Sequence, residues 1–144
     1  MADPLSIAAS VVGVAVPALH GTRLLLDDLQ KLKDAPKTFR RLEEDVHSVE
    51  VALTTLQMVK DREWQSLGAT VAEESKTTIS TCTKVCDHFR ANLQHWTRHS
   101  EDGKLATRDR ANVGFFKQGQ INVISEQLRN CKLTINSMVG IATL

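Results

Sequence analysis

From Pro4 to Thr22 this chain carries no Asp, Glu, Lys or Arg, and the heart of that stretch, Leu5 to Leu19, is apolar on nearly every side. Apolar surface left in water costs roughly 25 cal/mol per Å², so the segment has two destinations. It can lie at the centre of a helical core, or it can be kept for a membrane that it enters on demand. As a helix rising ~1.5 Å per residue it would reach about 29 Å, close to the ~30 Å hydrocarbon core of a bilayer. Ser6, Ser10, Gly13, Pro17, His20 and Gly21 dilute it, however, and argue against a permanent span. A secretory leader is not indicated, because a leader begins with positive charge and the only charged side chain ahead of this run is Asp3.

The rest of the chain explains what such a helix could pack against. Asp3-Pro4 supplies a helix start, with a capping side chain followed by a proline whose missing N–H is harmless there. Pro17 is expected to kink or break the first helix by removing a donor one turn up. Beyond it Leu25, Leu29 and Leu32 continue an amphipathic stripe to about Lys33, and Asp34-Ala35-Pro36 marks a turn. Phe39, Leu42, Val46, Val49, Leu53 and Leu56 then follow a 3-4-3-4-3 spacing, the mark of one apolar seam on a charged helix. Trp64 is expected to anchor a short connection. A third helix is read from Val71, Ser75, Thr78, Cys82, Val85, Phe89, Leu93 and Trp96, with small side chains implying a thin, close contact. A charged loop over His99–Gly103 and a short amphipathic piece, Leu105 to Lys117, lead to a last seam of Ile121, Ile124, Leu128, Cys131, Ile135 and Met138. One-striped helices joined by short loops bury their stripes only against each other. The expected fold is all-α, an up-and-down bundle of four main helices in a single domain over residues 1–144. Leu144 ends an apolar tail with no capping residue, so the chain is expected to be the N-terminal part of a longer multidomain protein.

Charge and composition remove several functions. Lys plus Arg number 18 against 17 Asp plus Glu, which gives no field for gathering nucleic acid. No Gly-rich phosphate loop, nucleophile elbow, HExxH or credible carboxylate pair is present, so no catalytic residue is assigned, the chain is read as a non-enzyme and no small-molecule substrate or cofactor is expected. Cys82, Cys86 and Cys131 are too few for a disulfide scaffold. Cys82/Cys86 and His95/His99 lie too far apart along one helix to share an ion, some 13 Å at ~1.5 Å per residue, so no metal site is assigned.

Three groups of residues remain as candidates. The first is the apolar helix itself: Leu5, Ile7, Val11, Val12, Val14, Val16 and Leu19, with Ser6, Ser10 and Gly13 forming a small-residue stripe that lets helix backbones approach. The second is a basic cluster, Lys31, Lys33, Lys37, Arg40 and Arg41, where each charge is worth about 1 kcal/mol toward an anionic leaflet; an ordinary solvated corner has the same composition. The third is Val113, Phe115 and Phe116, an apolar group flanked by Arg108, Arg110 and Lys117 and suited to a protein partner.

The opening Met1 to Gly13, the Asp34-Ala35-Pro36 turn before a leucine-seamed helix, and Arg108 to Lys117 before Ile121–Leu133 together resemble the HeLo-like N-terminal domain of fungal NOD-like (STAND) receptors, over nearly the whole chain. The resemblance implies a helical bundle that acts as the death effector of a receptor. Such a domain would oligomerise through C-terminal modules in cis and release its first helix from a cytoplasmic resting state into the plasma membrane. On this sequence that role falls on Leu5 to Leu19. No acidic residue lies between Asp3 and Asp27, which favours membrane disruption over a channel lined by carboxylates. The competing expectation is a soluble adaptor or oligomerisation module whose first helix is permanent core.

Overall fold

The computed structural model describes residues 4–32, 37–96 and 118–144. It contains α1 (Pro4–Gln30), α2 (Lys37–Gln57), a 3-10 segment (Asp61–Ser66), α3 (Ala69–Trp96) and α4 (Gln118–Ala142). Among the described residues there is no strand, and the four helices pack as a bundle. The short helix expected over Leu105 to Lys117, the Asp34–Pro36 turn, Lys33, and the Val113/Phe115/Phe116 group lie outside the described residues.

Every seam residue of α2 is buried, from Phe39 to Leu56, with Ala52 added between them. On α4 the buried line is Ile121, Ser125, Leu128, Cys131, Ile135, Met138 and Ala142; Ile124 is only partly buried, at the edge of that line. The α3 seam differs more from expectation. Its buried residues are Ala72, Ser75, Ile79, Cys82, Cys86, Phe89 and Leu93, while Val71 is exposed and Thr78 and Val85 lie at the margin. The true stripe is rotated slightly, so that Ile79 and Cys86 point inward.

Pro17 does not break α1, which runs without interruption from Pro4 to Gln30. Pro17 and Gly13, whose carbonyl loses its usual amide partner, are both exposed. Water can reach that carbonyl, so a proline is tolerated on this face where it would not be in the core.

The helices alternate in direction, but their order around the bundle is not sequential. Thr22 meets Cys86 and Asp28 meets Arg90, so α1 and α3 are parallel neighbours. Around the ring α1 touches α2 and α3, and α4 touches α2 and α3; α2 lies diagonally across from α3, and α1 across from α4. Diagonal backbones stay apart, and large side chains fill the space between them. Phe39 of α2 and Phe89 of α3 meet edge to face across one diagonal, with centroids 6.2 Å apart and planes at 78°. The 3-10 segment carries α2 over to α3 and packs on α1 and α4, where Trp64 is fully buried. Trp64 is thus the anchor expected of it. Gly68, which hands the chain to α3, has φ of +79°, a conformation glycine adopts without a steric penalty.

Candidate functional site: the apolar first helix

The first helix is neither wholly buried nor free. Ile7, Ala8, Val11, Ala15, Ala18, Leu19 and Thr22 face the core, whereas Ala9, Val12, Gly13, Val16, Pro17 and His20 face outward. Val12 is 38% exposed and Val16 51%. Val14 lies between, packed at the core edge. The side chains of Leu5 and Ser6 lie outside the described set. α1 is the one helix among the described residues long and apolar enough to cross a membrane, and 44% of its apolar window is buried. From Ala9 to His20 one face of this helix is therefore free of Asp, Glu, Lys and Arg and turned to solvent.

The small-residue stripe sits on that outer face. Ser10 is half-buried, Gly13 is exposed, and a Cβ added at Gly13 would meet nothing within 4 Å. At rest the stripe therefore packs against no neighbouring helix at Gly13. The close approach of α1 to α3 occurs instead at Gly21, where an added Cβ would lie 3.5 Å from Asp87 Oδ1 and 3.8 Å from Cys86 Cβ.

Polar contacts that hold α1 cluster in its C-terminal half. Arg90 Nε donates to Asp28 Oδ2 at 2.8 Å, with both side chains about three-quarters buried. Arg23 and Glu50 approach to 3.7 Å across α1 and α2. Thr22 Oγ1 donates to the Ala18 carbonyl at 2.6 Å and lies 4.0 Å from Cys86 Sγ. No polar side-chain contact to another helix is present on the described part of α1 before Thr22, so the N-terminal half is held there by apolar packing. That asymmetry was not legible in the sequence, since ion pairs between distant helices leave no periodic signal.

The basic cluster is partly spent inside the fold. Lys31 Nζ is 2.9 Å from Asp27 Oδ2, and the hydrogen bond from that carboxylate holds the Lys31 ammonium above its ordinary pKa. Arg40 reaches Glu43 at 2.8 Å and also donates to the Leu32 carbonyl, clasping the end of α1 to the start of α2. Lys37 and Arg41 are exposed and have no ion partner among the described residues.

Residues 2–144 match the family described as pigment biosynthesis cluster protein PigL N-terminal. The chain belongs to the PigL N-terminal family. That family is a HeLo-like helical domain from fungal pigment cluster proteins, so the HeLo-like likeness read from the sequence holds at the level of the domain. No curated protein and no solved structure matches this PigL N-terminal chain.

Proposed function

We propose that this PigL N-terminal domain is a membrane-targeting, cell-death-inducing effector that acts by oligomerising and exposing α1. The observation that carries the reading is the split character of α1, whose outer face of Ala9, Val12, Gly13, Val16 and Pro17 is uncharged while its inner face is core. In the cytoplasmic resting state the inner face is buried. When modules in cis gather several copies, the α1 helices become a multivalent anchor, and avidity supplies what one diluted helix lacks. Lys37 and Arg41, with Lys31, would meet the anionic leaflet of the plasma membrane; Lys33 is assigned the same role from its position in the sequence. Gly13 with Ser6 and Ser10 would then pack α1 against α1 of a neighbouring copy.

The test is dye release from vesicles containing phosphatidylserine, using copies clustered by a fused oligomerisation tag. The expected result is leakage by the clustered wild type and its loss in the double variant Val12→Glu, Val16→Glu. Both positions are exposed, so the variant keeps its helicity. Equal leakage from the two proteins would exclude this face of α1 as the membrane agent.

A second reading, a soluble adaptor or oligomerisation module, is favoured by how much core α1 supplies. It packs on α2, α3 and the 3-10 segment. In this reading the same double variant retains full signalling in cells, and Val113, Phe115 and Phe116 bind the partner.

A further inference from the structure

Three free thiols lie in the interior: Cys82 and Cys86, one turn apart on α3, and Cys131 on α4, with Cys86 turned toward Thr22 of α1. Cys131 Sγ donates to the Thr78 carbonyl at 3.4 Å. In an α-helix that carbonyl accepts the amide of the residue four positions on, here Cys82, so Cys131 sits against the turn that presents Cys82. The Cys82 thiol interacts electrostatically with those of Cys131 and Cys86. Buried Ser75 and Cys82 on α3 and Ser125 and Cys131 on α4 alternate there with the larger Ile79, Leu128 and Ile135.

Of the two pairs that include Cys82, only one suits a bond. Cys82 and Cys86 stand at i, i+4 on one helix, where Cβ atoms lie about 5–6 Å apart, and a disulfide holds them at about 3.5–4.5 Å. The rigid helix forbids that closure. The pair across helices carries no such restriction. A groove of about 400 Å³ between α3 and α4 opens beside it, lined by Ser75, Thr78, Thr134 and Met138 among others. Thr78 both lines the groove and holds Cys131, so a small polar oxidant has a route to the Cys131 side. Cys131 is also the least buried thiol, 3% exposed against 0% for the other two.

We propose that Cys82 and Cys131 form a hydroperoxide-responsive dithiol that closes into an α3–α4 disulfide, with Cys86 left reduced. The Cys131 thiolate attacks the O–O bond of hydrogen peroxide, gaining an S–O bond and expelling hydroxide, which leaves as water with the proton that the thiol gave up. The Cys82 sulfur then attacks the Cys131 sulfenic sulfur; the S–O bond breaks, and its hydroxide leaves as water with the Cys82 proton. Two thiols and one peroxide become one disulfide and two waters, and two electrons pass from sulfur to peroxide. The hydrogen bond from Cys82 holds the Cys131 thiol below its ordinary pKa. Proton donation toward Cys131, together with burial, pushes Cys82 well up, so the first attack falls to Cys131. The bridge joins α3 to α4 and leaves α1 untouched, so it stands or falls apart from the membrane reading.

The experiment exposes the full chain to hydrogen peroxide, blocks free thiols by alkylation in denaturant, and maps tryptic peptides without reduction. Cleavage after Lys84 separates Cys82 from Cys86. Expected are an intact mass lighter by two hydrogens before alkylation, a linked pair of peptides bearing Cys82 and Cys131, and alkylation of Cys86 alone. Cys86→Ser should bridge as the wild type does, and Cys131→Ser should form no bridge. Because Cys131→Ser places a hydroxyl in the core, circular dichroism checks its fold, and the wild-type map decides the assignment by itself. A bridge containing Cys86, a bridge between chains, or sulfinic and sulfonic acids without linked peptides would overturn the proposal.

Discussion

Gly68 is where a single residue decides the path of the backbone. Its φ of +79° lies in the left-handed region, which costs an L side chain roughly 1–2 kcal/mol, and the space around it is open. Gly68→Ala should therefore lower stability by about 1 kcal/mol through backbone strain alone, read as a lower urea midpoint at unchanged slope. The glycine follows the short connection read around Trp64, but nothing in the sequence gives the sign of its φ. Arg40 and Arg90 show the same gap. Arg40 was read as one of a basic cluster facing lipid and Arg90 was not singled out, until the fold brought them to the Leu32 carbonyl and to Asp28.

At the scale of the element, the α2 seam was legible in all but Ala52, because charged positions separate its apolar ones and leave one solution for the buried face. Such a contrast is missing in α3, where Thr77, Thr78, Ser80, Thr81 and Thr83 blur the boundary. Thr side chains there bond back to carbonyls of their own helix, as at Thr77, Thr78 and Thr81, and so sit comfortably at the margin. In α1 the difficulty was the opposite. Every side between Ile7 and Leu19 is apolar or small, so periodicity could not say which half faces the core. Adjacent substitutions should now separate the halves. Ala15 is fully buried and Val16 is 51% exposed. Ala15→Glu should cost roughly 3 kcal/mol or more by burying an unpaired charge, whereas Val16→Glu should stay within about 0.5 kcal/mol of wild type. Thermal melts of the two proteins make the comparison. Removing residues 1–20 takes away Ile7, Ala8, Val11, Ala15, Ala18 and Leu19 together, and the truncated chain is expected to lose its cooperative melt.

Across the whole molecule, the ring order α1-α2-α4-α3 gives α1 a parallel neighbour in α3 and sets Trp64 beneath the α1–α4 diagonal. Four apolar seams in sequence could not reveal that order, because each seam is equally content against any other. Trp64→Ala empties the site that carries α2 across to α3, and should cost about 3–5 kcal/mol, seen as a large fall in the denaturation midpoint. The parallel pairing also provides a way to ask whether α1 must leave the bundle. Thr22 Oγ1 lies 4.0 Å from Cys86 Sγ, so Thr22→Cys sets two sulfurs where an oxidant can join α1 to α3. If membrane action needs α1 to separate from the core, the clustered and oxidised variant should leave vesicles intact, and dithiothreitol should restore leakage. Cys86→Ser in the same background removes the staple and should leak under oxidant as it does under reductant. Leakage from the fully stapled protein equal to that from its reduced form would mean that α1 acts without leaving α3, through its outer face alone.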